Sequence, residues 1–261
     1  MCNVDLFYPA KLKLPDGNRS KISERIELTM SKTIYLIPGV GANDKVFKNL
    51  DLGDYEIVHL KWPKHKKNET IQAYVKKLLP QIKPDTQPIL IGLSFGGIVA
   101  IELAKLINPF KVVLISSIKT HHERPLKLMF LNSLKFHRLL PGKLVVQFRF
   151  WLNWLLGKLS SEEWELVELM IREANIEFNE WAVDQVIHWH NEEVPDNLVH
   201  IHGTGDRIFP SFYVRKAIWI KGGSHFMVVN RAKEISKIIL KEIAGGKEVK
   251  LSQKRQLRKA S

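Results

Sequence analysis

The sequence contains a single cysteine, Cys2, so no disulfide framework can staple this fold. It also lacks an apolar run of membrane-spanning length. The longest uncharged stretch, Thr86–Ile101, is broken by Ser94 and three glycines, which excludes an integral span. No basic start followed by an apolar run opens the chain, and the expected location is therefore cytoplasmic. Acidic residues are in short supply, 27 Asp+Glu against 40 Lys+Arg, for a formal charge of +13. No zinc-finger, helix-turn-helix or RNP-like pattern accompanies that charge, so nucleic acid is not the expected partner. There is no internal repeat. Ten histidines are present, yet no cysteine set and no HExxH helix joins them, and neither a metal nor another cofactor is expected.

What is present is an ordinary globular composition, 45% hydrophobic and 26% charged, on 261 residues. From residue 33 apolar runs alternate with helical patterns, the mark of a mostly parallel sheet covered by helices. The runs Thr33–Ile37, Tyr55–Leu60, Pro88–Gly92, Lys111–Ser116, Asn197–His202 and Lys216–Ile220 read as strands buried on both faces. Helices are expected at Thr70–Gln81, Phe95–Leu106 and Asn230–Ile243, with Asn43 and Asn230 as capping residues.

The alternation stops between residues 119 and 196. Leu126, Met129, Phe130 and Leu134 are spaced for one helical face, and Phe178, Ala182, Val186 and Trp189 for another. This block reads as a helical cap inserted into an α/β core formed by residues 30–118 and 197–245. Residues 1–29 read as an N-terminal extension or a short edge strand near Ile26–Thr29, and residues 246–261 as a disordered basic tail. Charge is blocked within the insertion. Lys119–Lys158 carries eight Lys/Arg and one Glu, while Leu159–His200 carries eleven acids and one Arg, and mutual pairing of the two is the expectation. The basic, aromatic segment also suits steering of an anionic substrate or weak association with a lipid surface.

The most informative segment is Gln87–Ala104, where an apolar strand meets Gly92-Leu93-Ser94-Phe95-Gly96 and a helix begins at once. Presenting a serine hydroxyl at the apex of such a turn forces a strained backbone at Ser94. The residues two before and two after then approach closely, and only side chains as small as those of Gly92 and Gly96 fit. Gly97 lets the helix pack near the strand.

A serine hydroxyl needs a base to become a nucleophile. His225, in Gly222-Gly223-Ser224-His225-Phe226, follows the last expected strand, where a flexible glycine loop could swing its imidazole over Ser94. Asp206, in His202-Gly203-Thr204-Gly205-Asp206, follows the preceding strand and would hold the imidazole by its Nδ1–H. Backbone donors for an oxyanion are expected from Phe95 and from the loop Pro38-Gly39-Val40-Gly41, with Val40 N–H first and Gly41 second. Glu102 lies along the helix and points away, Asp184 belongs to the acidic insertion, and Ser116 and Ser117 are candidates to line the pocket. Phe130, Phe136, Phe148, Phe150 and Trp151 are candidates for an apolar acyl site.

On these residues the chain resembles the α/β-hydrolase superfamily, in its small capped serine-hydrolase form. GLSFG, HGTGD and GGSHF match in kind and order over residues 33–118 and 197–244, while Pro38-Gly39 replaces the usual His-Gly oxyanion motif. The resemblance implies hydrolysis of a small-molecule ester, thioester or amide through an acyl-enzyme on Ser94, His225 and Asp206. Esterase or thioesterase action on a small to medium apolar acyl group is the leading expectation. A lyase on the same triad, or a non-catalytic ligand-binding protein keeping the fold, stands as the alternative.

Overall fold

The computed structural model describes residues 31–84, 86–125 and 152–257, with side chains of the last helix as far as residue 245. Six parallel strands form one sheet in the order β2-β1-β3-β4-β5-β6. They are β1 (Lys32–Ile37), β2 (Glu56–His59), β3 (Gln87–Leu93), β4 (Lys111–Ile115), β5 (Leu198–Gly203) and β6 (Ile218–Ile220). The helices are α1 (Ile71–Val75), α2 (Phe95–Ile107), α3 (Ser161–Glu173), α4 (Ile176–His188), α5 (Met227–Asn230) and α6 (Ala232–Leu257), and residues 152–156 are also helical. The chain therefore has a parallel α/β sheet flanked by helices, the architecture that the resemblance implies.

Successive strand residues point to opposite faces, so each apolar run feeds two cores. Ile34, Leu36, Ile89, Ile91, Val113 and Ile115 pack with α5, α6 and part of α3 on one face. Tyr35, Ile37, Leu90, Val112 and Leu114 pack with α1, α2 and α4 on the other. Each fully buried aliphatic side chain contributes roughly 1.5–3 kcal/mol of transfer free energy, which is why the strand interiors are rich in Ile, Leu and Val. The expected face Phe178, Ala182, Val186 is buried on α4, and Trp189 immediately follows it.

Several local expectations are corrected. Pro80 cannot donate to an α-ladder, and Thr70–Gln81 divides into α1 and a 3-10 turn at Lys76–Gln81. Asn230 ends α5 instead of capping the long helix, which starts at Ala232. That helix also runs on past Ile243 to Leu257, through Gly245 and Gly246, because favourable helix formers (Lys, Glu, Leu, Gln, Arg) resume after them. The expectations for residues 1–29, for the 126–134 helical face and for an acyl site at Phe130, Phe136, Phe148, Phe150 and Trp151 lie outside the described residues. Among the described residues, Glu173 of the acidic stretch pairs with Lys45 of the core. No helix there is long and apolar enough to cross a membrane.

Candidate active site

Ser94 stands between β3 and α2 with φ 52° and ψ −119°, a conformation that costs about 1–3 kcal/mol for a residue with a Cβ. The surroundings hold it there. Ser94 N donates to Ile115 O at 3.0 Å, and Ser94 O accepts from Gly97 N at 2.9 Å and from Ser117 Oγ at 2.6 Å. A Cβ on Gly92 would lie 2.2 Å from Gly96 O, and one on Gly96 would lie 2.1 Å from Ile37 O. Both glycines are sterically required by the turn. Ser117 thus anchors the bend from behind and, like Ser116, lies outside the apolar cavity, contrary to the expectation that the pair lines it.

The base and the acid arrive on adjacent strands. β5 delivers the turn carrying Asp206, and β6 delivers the loop carrying His225. The two connections are latched through Thr204 N to Ile220 O at 3.0 Å and Gly205 N to Gly223 O at 2.9 Å. A Cβ on Gly203 would meet Gly223 O at 2.1 Å. The glycines at 203 and 223 therefore serve close approach of two backbones, and the loop is held instead of free to swing.

The result is a continuous line of groups. His225 Nε2 lies 3.0 Å from Ser94 Oγ, and His225 Nδ1 lies 2.8 Å from Asp206 Oδ2. Asp206 Oδ1 accepts from Ile208 N and Phe209 N, each at 2.9 Å. Burial alone would raise the Asp206 pKa. The charge and hydrogen bond of His225 outweigh it, with the Phe209 amide adding, and hold the carboxyl below its ordinary value. The other carboxylates weighed for this role sit elsewhere. Glu102 is buried against Trp189 Nε1 at 2.7 Å and Lys105 Nζ at 3.0 Å, while Asp184 is half exposed beside His188.

Val40 and Phe95 both line the cavity that holds Ser94 and His225. Gly41 has φ +70°, and its N–H donates to Asn179 Oδ1 of α4 at 3.1 Å. That donor is already engaged. The cavity is about 340 Å³ and strongly apolar, walled by Leu152, Leu156, Val167, Met170 and Val186. Val186 belongs to the helical face expected from the sequence; the other four were not expected there, although Leu152/Leu156 and Val167/Met170 have the four- and three-residue spacing of a helical face. Next to it, sharing Gly41, Ala42 and Met170, opens a wider polar depression of about 1220 Å³ bordered by Trp62, Lys64, His65 and Trp181.

Among the described histidines, His121 and His122 come together with Glu192, their potential ligand atoms within 4.8 Å of one another. His122 and Glu192 are exposed there, and the group shares no residue with the cavity. His200 and His202 are instead buried behind Asp206.

Residues 34–238 match the alpha/beta hydrolase family. The chain belongs to that family. No curated protein sequence matches it significantly. Solved α/β-hydrolase structures superpose over most of its length. A lipase-esterase related protein from Clostridium acetobutylicum is 20% identical, with a TM-score of 0.56, covering 81% of this chain and 94% of its own. A thermophilic esterase is 14% identical, with a TM-score of 0.60, covering 82% and 90%. A type II thioesterase from the yersiniabactin NRPS/PKS pathway is 17% identical, with a TM-score of 0.55, covering 84% and 95%. At these identities the likeness is one of α/β-hydrolase fold.

Proposed function

We propose that this α/β hydrolase is a serine hydrolase of carboxylic esters or thioesters with a small to medium apolar acyl group. One observation carries the reading: the unbroken line Ser94 Oγ, His225 Nε2 at 3.0 Å, and Asp206 Oδ2 at 2.8 Å from Nδ1. His225 takes the Ser94 proton as Oγ attacks the substrate carbonyl, and Asp206 orients the imidazole and stabilises its charged form. The N–H groups of Val40 and Phe95 receive the oxyanion, Gly41 being occupied by Asn179. His225 then protonates the departing alkoxide or thiolate. It next deprotonates a water that attacks the acyl-Ser94 ester, and Ser94 leaves with the proton. The apolar cavity takes the acyl group, and the helical residues 152–156 with α3 and α4 act as the cap over it.

The test is labelling with a fluorophosphonate probe, with Ser94→Ala as the control, followed by acyl esters of graded length. Stoichiometric labelling of the folded wild type, absent in Ser94→Ala, is expected. A folded wild type that does not label ends this reading.

A further inference from the structure

Behind Asp206 lies a buried polar chain that the acyl-transfer steps leave unused. Lys119, just past β4, has an ammonium group with three N–H donors and three acceptors around it. These are Glu123 Oε1 at 2.6 Å, Arg215 O, and His200 Nδ1 at 3.1 Å. Each proton has one destination, so His200 Nδ1 is an acceptor and the His200 proton sits on Nε2. That nitrogen lies 3.2 Å from His202 Nδ1, which must then accept. His202 therefore carries its own proton on Nε2.

The opposite end of the chain gives the same assignment independently. His202 Nε2 lies 2.8 Å from Phe209 O, and a carbonyl oxygen can only accept. The backbone of Phe209 is consequently held on both sides of its Cα: its C=O accepts from His202, and its N–H donates to Asp206 Oδ1 at 2.9 Å. His202 Nε2 is also 3.7 Å from Asp206 Oδ2. His200, His202 and Asp206 are 2%, 0% and 3% exposed, which keeps water from competing for any of these bonds. Burial lowers the pKa of both imidazoles, with the Lys119 cation adding at His200, and outweighs the opposing pull of the Ser117 backbone on His200 and of Asp206 and the Phe209 carbonyl on His202. Apolar side chains would fill this space without the desolvation cost of two rings and an ammonium, so simple packing does not account for the choice. Aligned donors in a dry interior also reinforce one another.

We propose that His202 is a positioning residue for Asp206, with Lys119 and His200 fixing its tautomer. By holding the Phe209 carbonyl it fixes the residue whose N–H ties down Asp206 Oδ1, and leaves Oδ2 aimed at His225. This inference rests on the triad reading of Ser94, His225 and Asp206.

The test compares His202→Gln with His202→Asn in the full-length protein. Glutamine can place its amide donor where Nε2 stood, within reach of Phe209 O; asparagine is too short. Both are polar and of similar folding risk, and His202→Phe, which has no donor, is a third arm. Hydrolysis of a short-chain nitrophenyl ester is expected to retain wild-type kcat within about threefold in His202→Gln and to lose roughly tenfold or more in His202→Asn and His202→Phe. KM is expected to stay unchanged throughout, because His202 does not line the cavity. Fluorophosphonate labelling rates should follow kcat. The far-downfield proton resonance of His225 Nδ1–H should persist in His202→Gln and broaden or vanish in His202→Asn. Equal kcat in His202→Gln and His202→Asn, with wild type that labels normally, overturns the positioning role. A wild type that does not label overturns the triad reading itself.

Discussion

Gly97 and Ser117 fit together with no room to spare: a Cβ on Gly97 would lie 2.4 Å from Ser117 Oγ and 2.6 Å from its Cβ. Because the same hydroxyl donates to Ser94 O, the contact joins helix packing to the shape of the bend. Gly97→Ala is expected to displace Ser117, to destabilise by about 1–3 kcal/mol as overpacking does, and to lower esterase activity. The double variant Gly97→Ala/Ser117→Gly restores the space and should recover part of the Tm in a thermal melt. A single variant that melts like wild type would contradict the contact.

Asp206→Asn tests the acid. The Asn carbonyl oxygen can still accept from Ile208 N and Phe209 N, so the turn should fold. Its amide would face His225 Nδ1 and favour the tautomer carrying the proton on Nε2, aimed at Ser94. Ester turnover is expected to drop by about 10³–10⁴ while the variant keeps a cooperative thermal melt. Unchanged turnover would move the acid to another residue.

Acyl-length preference follows from the cavity. Each methylene buried is worth about 0.8 kcal/mol, so kcat/KM should rise roughly three- to fourfold per carbon until the 340 Å³ space is filled, then level off. Val167→Phe occupies part of that space and should bring the plateau to shorter chains while sparing acetyl esters. Identical chain-length profiles for the two proteins would show that the acyl group lies elsewhere.

Stability should weaken on mild acidification. His200 is held well below its ordinary value of 6.5 by burial, then by Lys119 and His202, and His202 is lowered by burial as well. Unfolding exposes both rings, which then take up protons near pH 6.5, whereas the folded protein binds them only at lower pH. The unfolded state thus binds more protons in that window, and stability falls as pH drops below about 6.5. Asp206 acts in the same sense further down. Its carboxyl is depressed below 3.8, so its contribution is present above that value and is lost as pH falls through the lowered one. A melting temperature that stays level from pH 7.5 to 5 would contradict the buried neutral pair.

The strands were legible because apolar runs bounded by turn residues admit few other readings. The bend at Ser94 was legible because the glycines two residues on either side are a steric necessity, which a sequence displays directly. The positions of Asp206 and His225 followed from strand order, since β5 and β6 are neighbours in both chain and sheet. Other features were hidden for definite reasons. An apolar helical face looks the same whether it meets a core or an empty cavity, so Val167 and Met170 could not be told from packing residues. The partnership of His200 with Lys119 spans 81 positions, and no local pattern announces it. The purpose of the glycines in the His225 loop was likewise misread, because close approach to Gly203 is visible only once the two strands lie side by side.

The bond from Gly41 N to Asn179 Oδ1 gives the helix above the cavity and the loop beside Ser94 a common fastening. An acyl group bulky enough to lift α4 would drag that loop with it and misalign the Val40 amide. Branched acyl groups too wide for the cavity, unlike linear chains that merely outrun it, would then still dock but turn over slowly, so the protein would measure substrate width by reaction rate more than by affinity.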